Sequence, residues 1–169
     1  MPPAPDVIHL RAAIHTFLVM ASATLQRAVG VSATVVSSAG VVPEPGARYV
    51  VVIGVEGDLS GVTWIIPQPL AQALVRKMIG SADPPFDQTA LPFGGADRQG
   101  QARTIVRDAA IELANILMGC AGEMLAGYGM RVELTPPRLA ATVAPGIGSR
   151  LSTAHGMVDV VFHPAGRAA

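Results

Sequence analysis

The sequence is short of several things, and each shortage excludes a class of protein. It has one cysteine, Cys120, among 169 residues, which rules out an intrachain disulfide and a zinc site built from thiolates. It has one lysine, Lys77, and its 12 basic residues are balanced by 12 acidic ones, for a net charge of zero. A general binder of nucleic acid or of an anionic membrane needs a dense basic patch, so neither partner is expected. Aromatic residues make up only 4%, so the expected core is aliphatic. Apolar runs are short, Tyr49 to Val55 being among the longest, against the ~20 residues of a membrane-spanning helix. The opening residues Met1 to Asp6 lack the basic region of a secretory signal, and the expected location is the cytoplasm. Half of the residues are hydrophobic and 14% are charged. That composition and length suit one folded domain over residues 1–169.

Hydrophobic spacing sets out the elements. Ile14, Phe17, Leu18, Ala21, Leu25 and Ala28 recur at steps of three and four, which predicts a helix with Asp6 as its N-cap and Gly30 as its stop. A short strand is expected at Ala33 to Val36. Tyr49 to Val55 and Val62 to Ile66 are β-branched and apolar, and Glu56 to Gly61 between them reads as a hairpin connection. That connection lacks the Lys-Ser/Thr ending of a phosphate-binding loop. Pro67 and Pro69 open a second helix with an apolar stripe at Leu70, Leu74, Val75 and Met78, closed by Gly80. Ser81 to Gly100, rich in Pro, Gly and Asp, reads as a long surface loop. The longest helix is predicted from about Ala102 to Tyr128, followed by short strands at Met130 to Leu134, Leu139 to Ala144, Arg150 to Ala154 and Met157 to Phe162. Each half thus carries a helix and about three strands. The expected class is α/β in the α+β sense: a mainly antiparallel sheet packed by a long helix and shorter ones, built from two related halves.

The chemically informative residues lie on the long helix. At 100° per residue, Ile105, Leu113, Ile116, Leu117, Cys120 and Met124 spread over the apolar side. Asp108, Glu112, Asn115, Gly119 and Gly122 form the opposite stripe. Glu112 and Asn115 sit one turn apart on that stripe, and no Lys or Arg stands four residues beyond Glu112 to pair with it. An ordinary solvated face is filled with long helix-forming side chains, whereas each glycine costs about 1 kcal/mol relative to alanine. Bare backbone beside a carboxylate and an amide suits close docking of a partner. The alternative is a solvated face whose glycines serve packing inside the domain.

Glu112-x-x-Asn115-x-x-x-Gly119 on a long helix resembles the signature of the CheC/CheX/FliY phosphatases of bacterial chemotaxis. The opening helix, the strand pair around Gly57-Asp58-Leu59-Ser60-Gly61, the short helix ending Lys77-Met78-Ile79-Gly80 and the stretch Val132-Glu133-Leu134-Thr135-Pro136-Pro137 fall in the order of CheX-like domains. The resemblance runs from about residue 7 to 163. It implies a CheC-like fold and dephosphorylation of a phosphorylated CheY-type response regulator in chemotaxis or two-component signalling. It makes Asn115 the residue that aligns the attacking water and Glu112 the one that engages a regulator lysine. Gly119 and Gly122 continue the docking face, and Asp108, one turn before Glu112, either extends it or is an ordinary solvated carboxylate. No cofactor or metal of its own is implied, and Mg²⁺ is expected on the partner regulator. CheC-like members carry two such motifs, yet Ile14 to Leu25 has neither Glu nor Asn. That points to the CheX-like branch and to a homodimer, with strand pairing expected among the C-terminal strands, Leu139 to Phe162. Ser81 to Gly100 aligns with nothing in the family. The alternatives are a non-catalytic regulator-binding adaptor and a structural component of a signalling or flagellar switch complex.

The remaining chemical side chains offer less. His9, His15, His155 and His163 lack metal-ligand spacing such as H-E-x-x-H. Cys120 has no evident basic neighbour to lower its pKa. There is no G-x-S-x-G nucleophile elbow.

Overall fold

A computed structural model describes residues 7–36, 46–57, 59–80, 98–128 and 132–165. In chain order these form α1 (Val7–Val29), β1 (Ala33–Val36), β2 (Arg48–Gly57), β3 (Leu59–Pro67), α2 (Gln68–Ile79), α3 (Arg98–Gly127), β4 (Val132–Leu134), β5 (Arg138–Leu139), β6 (Ile147–Thr153) and β7 (Gly156–Pro164). The strands make one antiparallel sheet in the order β1-β6-β7-β3-β2-β4, with β5 pairing β2. Exchanging α1, β1, β2 and β3 with α3, β4, β6 and β7 maps this order onto its own reverse. The two halves foreseen from the alternation of helices and strands are therefore related in topology, each lending its first strand to the edge of the other.

The helices lie on one face of the sheet. Ile14, Phe17, Leu18, Ala21 and Leu25 of α1 are buried, as their spacing requires, and Gly30 stops the helix at φ 74°. Against them lie Val51, Ile53 and Val55 of β2, Val62, Trp64 and Ile66 of β3, and Val158, Val160 and Phe162 of β7. The core is mostly aliphatic, but its centre is not. Phe17 stacks on Trp64 at 5.6 Å and meets Phe162 edge-on at 5.1 Å. These three aromatics meet where the two central strands face α1, a geometry worth more than its buried area alone.

Punctuation residues act as their chemistry dictates. Pro67 stands at the N-cap position of α2 without a side-chain cap bond, Pro69 lies in its first turn, and Gly80 ends it at φ 66° with its N–H turned to the carbonyls of Arg76 and Lys77. Gly54 of β2 donates its N–H to Thr135 Oγ1 at 3.0 Å and accepts from the Thr135 N–H at 2.9 Å, which pins the chain after β4 to the sheet.

Four expectations need correction. Of Leu139 to Ala144, only Leu139 lies in a strand, at the end of β5. The ladder on β2 ends once the Ala140 N–H reaches the Val50 carbonyl, and the chain then turns through Pro145 and Gly146 into β6. Met78 is not core: it is 69% exposed in the last turn of α2. Ile105, placed on the apolar side of the long helix, is 43% exposed. Finally, β6 and β7 each have neighbours on both sides, so they offer no edge; the free edges belong to β1 and to β4 with β5. Of the expected 81–100 loop, residues 98–100 are the first of α3, and 81–97 lie outside the described residues, as do Asp6, Asp58 and Met130.

Gly146 gives a test of the second half. A Cβ there would collide with the Phe162 carbonyl, lie 2.7 Å from Val161 Cγ1 and lie 3.0 Å from His163 Nδ1. His163 cannot yield freely, because its ring spans the Pro145 carbonyl at 3.0 Å and Thr63 Oγ1 at 2.7 Å. Gly146→Ala is expected to lower stability by about 1–3 kcal/mol, read by thermal or denaturant unfolding, as overpacking against backbone does. An unchanged midpoint would show that the turn relaxes without cost.

Candidate functional site

The site is built on α3. Its core face is Val106, Ala110, Leu113, Ala114, Leu117, Met118 and Leu125, all buried. These side chains pack against α1, α2 and the sheet. By length and composition alone, residues 100–127 could cross a membrane; here the apolar side of the helix is turned into the protein. Burying one face of a straight helix exposes the opposite one. That opposite face carries Asp108, Glu112, Asn115 and Gly119, all exposed, and Gly122, half-buried. The stripe drawn from the sequence is thus a continuous solvent-facing strip in the structure.

The groups on it differ in how occupied they are. Asp108 is held by its neighbour, with Arg107 Nε and Nη2 both 3.0 Å from Asp108 Oδ1, in a pair about half exposed on each side. Such a pair contributes little to stability, but it leaves Asp108 less available than its spacing suggested. Glu112 and Asn115 have no hydrogen-bond or ion-pair partner among the described residues. A carboxylate and an amide one turn apart, both facing water and neither used by the fold, are ready for an external partner.

The two glycines separate. A Cβ at Gly119 would meet nothing within 4 Å, and one at Gly122 would make only ordinary contact, 3.8 Å from Leu134 Cδ1 of β4. Gly119 therefore serves no packing inside the described structure, which removes the alternative raised for it from the sequence. Gly122 sits where α3 passes β4, and part of its role is internal.

Two features flank the strip. Toward the start of β2, Arg103 and Arg107 lie near Tyr49. Burial pushes the Tyr49 phenol above its ordinary pKa, and the two arginines oppose that shift. On the other flank, α2 and α3 leave a groove of about 410 Å³ whose lining includes Met78, Ile79, Ile105 and Glu112. Sequence reasoning missed this groove because it placed Met78 in the core stripe. Two adjacent apolar residues directly before the Gly80 cap were the available signal, since neighbours 100° apart in a final turn rarely both reach the core.

Among the other chemical side chains, His155 and Asp159 line a separate cavity of about 470 Å³ with Arg48 and Gln68, and Asp159 is ion-paired with Arg150. His163 is fixed between Thr63 and Pro145. Cys120 is half-buried.

An antiparallel sheet of these topologically paired halves, with α3 laid across it and its polar strip outward, is an α+β fold of the CheC-like class. Known structures of that class match it along nearly its full length. The chain is similar to the chemotaxis protein CheX from Desulfovibrio desulfuricans, at 19% identity over 91% of this chain and 99% of that one, with a TM-score of 0.65. It is similar to the CheX–CheY–BeF₃–Mg²⁺ complex from Borrelia burgdorferi, at 16% identity over 89% and 96% of the two chains, with a TM-score of 0.63. It is also similar to the FliG–FliM complex from Helicobacter pylori, at 13% identity over 95% and 94%, with a TM-score of 0.56. No protein-family model and no curated protein sequence matches the chain.

Proposed function

We propose that this protein is a phosphatase for the aspartyl phosphate of a CheY-type response regulator, working in chemotaxis or two-component signalling. The observation that carries the reading is the pair Glu112 and Asn115, without a partner among the described residues and exposed one turn apart beside the bare backbone of Gly119. The fold it sits on is shared with a CheX solved together with CheY, BeF₃ and Mg²⁺.

The chemistry asks little of the protein. An acyl phosphate is already activated, so catalysis is positioning plus electrostatics. The Asn115 amide can accept from and donate to one water, aligning it with the phosphorus opposite the aspartyl oxygen. Attack forms the new P–O bond and breaks the one to the aspartyl carboxylate, releasing phosphate and restoring the carboxylate. Mg²⁺ on the regulator would supply the charge stabilisation. A carboxylate near a phosphoryl group is repulsive unless it meets a cation, so Glu112 engages a regulator lysine and fixes the register. Gly119 lets the partner approach the helix backbone.

The test is phosphate release from a phosphorylated regulator with and without catalytic amounts of the protein. Acceleration supports the reading; binding without acceleration moves it to the adaptor. The adaptor or switch-component reading has its own support in the likeness to FliM bound to FliG.

We further propose that the protein is a homodimer paired along a free sheet edge, at β1 or at β4 with β5, and that it acts in the cytoplasm. Light scattering at micromolar concentration is expected to give twice the 17.4 kDa chain mass. A monomer would remove edge pairing from the account.

A further inference from the structure

We infer that the groove between the last turn of α2 and α3 is a second docking surface for the same regulator. It receives an apolar side chain flanked by a basic one, presented beside the phosphorylation site. The inference rests on the proposed role of Glu112, which lines both the groove and the polar strip. Met78, Ile79 and Ile105 are 69%, 53% and 43% exposed. They are three of the few large apolar side chains that the described structure leaves in water, and they converge on one groove. A contiguous apolar patch on a soluble surface marks an interaction site more often than a scatter of single residues does.

The groove's chemistry selects its occupant. Its charged lining residues, Asp108 and Glu112, are both acidic. Arg107 already pairs Asp108, so Glu112 is the carboxylate that a purely apolar segment would bury uncompensated, whereas a segment combining an apolar side chain with a lysine or arginine satisfies floor and rim together. The walls are also preset. Gly80 caps α2 on the carbonyls of Arg76 and Lys77, and Lys77 Nζ reaches across to the Arg27 carbonyl of α1 at 3.1 Å. The single lysine of the chain thus ties the backbone that presents Met78 and Ile79 to α1. The polar strip offers one carboxylate, one amide and bare backbone. The groove supplies the apolar contact area that the strip lacks.

The test uses the full-length protein and a CheY-type regulator loaded with BeF₃⁻ and Mg²⁺, with affinity read by calorimetry and turnover read in parallel on the phosphorylated regulator. Met78→Asp and Ile105→Lys lie at exposed positions, and circular dichroism checks that each stays folded. Each is expected to weaken binding by ~10-fold and to raise KM with kcat unchanged, as loss of uniform binding does. Ile105→Lys should weaken it more than Ile105→Glu, because only the lysine repels a basic partner. Asn115→Ala in the same assays lowers kcat and leaves affinity in place, so the two ideas fail separately. Unchanged affinity in Met78→Asp and Ile105→Lys overturns the groove while leaving the Asn115 assignment standing. Equal effects of Ile105→Lys and Ile105→Glu overturn the basic occupant. Loss of a dimer in Met78→Asp overturns the inference in favour of a second copy of this chain. No binding of any regulator by the parent protein overturns both.

Discussion

Asn115→Ala is expected to slow dephosphorylation of the cognate regulator by ~10²-fold or more, the scale for losing a group that positions a reactant or stabilises its charge. The effect should fall on kcat. Asn115 is exposed and has no partner among the described residues, so its removal leaves no cavity and orphans no buried group. Alanine is also the better helix former, and the unfolding midpoint should hold or rise slightly. Glu112→Ala tests the other half of the pair and should behave differently. If the carboxylate engages a regulator lysine, its loss weakens association as well as turnover, so KM rises while kcat falls. Glu112→Gln keeps the shape and a hydrogen-bonding oxygen but not the charge, and should lie between the two. The measurement is the decay of phosphorylated regulator across a range of regulator concentrations. Parent-like rates in Asn115→Ala would falsify the catalytic assignment and leave the adaptor reading.

How much of this was legible in the sequence depends on whether the information was local. The periodicity of Ile14 to Ala28 reports one helix face, and that face is buried. The strand at Ala33 to Val36, the hairpin on either side of Asp58 and the Pro67 to Gly80 helix come from β-branched runs and turn residues, which act within a few positions. The polar strip on α3 was legible for the same reason, since 100° per residue needs no tertiary knowledge. The failures are all tertiary. Met78 fits the stripe of Leu70 and Leu74 on a wheel, but the stripe is buried only as far as α3 covers it, and the last turn overhangs. Ile105 fails likewise near the start of α3. Leu139 to Ala144 has strand composition, but its pairing with β2 stops where the Ala140 N–H reaches the Val50 carbonyl and the chain turns away toward β6. The order of the sheet, with each half capped by the first strand of the other, depends on long-range pairing that no window of residues contains. That order is also why β6 and β7 have neighbours on both sides.

Gly119→Leu is expected to abolish measurable binding to the BeF₃⁻–Mg²⁺ form of the regulator while leaving the fold intact or more stable. The two halves of that expectation have separate causes. Gly119 lies mid-helix, and leucine has a helix propensity better than glycine by about 0.8–1 kcal/mol. A Cβ there meets nothing within 4 Å, so no steric cost offsets the gain. A stability measurement should therefore show no loss. For the partner, the same open space is the point of closest approach, one turn beyond Asn115 on the same strip. A branched side chain of four carbons holds the regulator off by more than the tolerance of in-line attack, where displacement of about 1 Å costs ~10²-fold. Gly119→Ala, with a single methyl, should give an intermediate loss, and the graded series separates blockage from unfolding. Affinity is also expected to depend on the regulator's state. A partner that binds both states equally shifts no equilibrium, and a site that binds substrate and transition state alike speeds no reaction. Calorimetry against the free and BeF₃⁻-loaded regulator decides the matter. Full affinity in Gly119→Leu, or equal affinity of the parent for both regulator states, would move the docking face away from this strip and leave α3 as a core helix with an idle polar side.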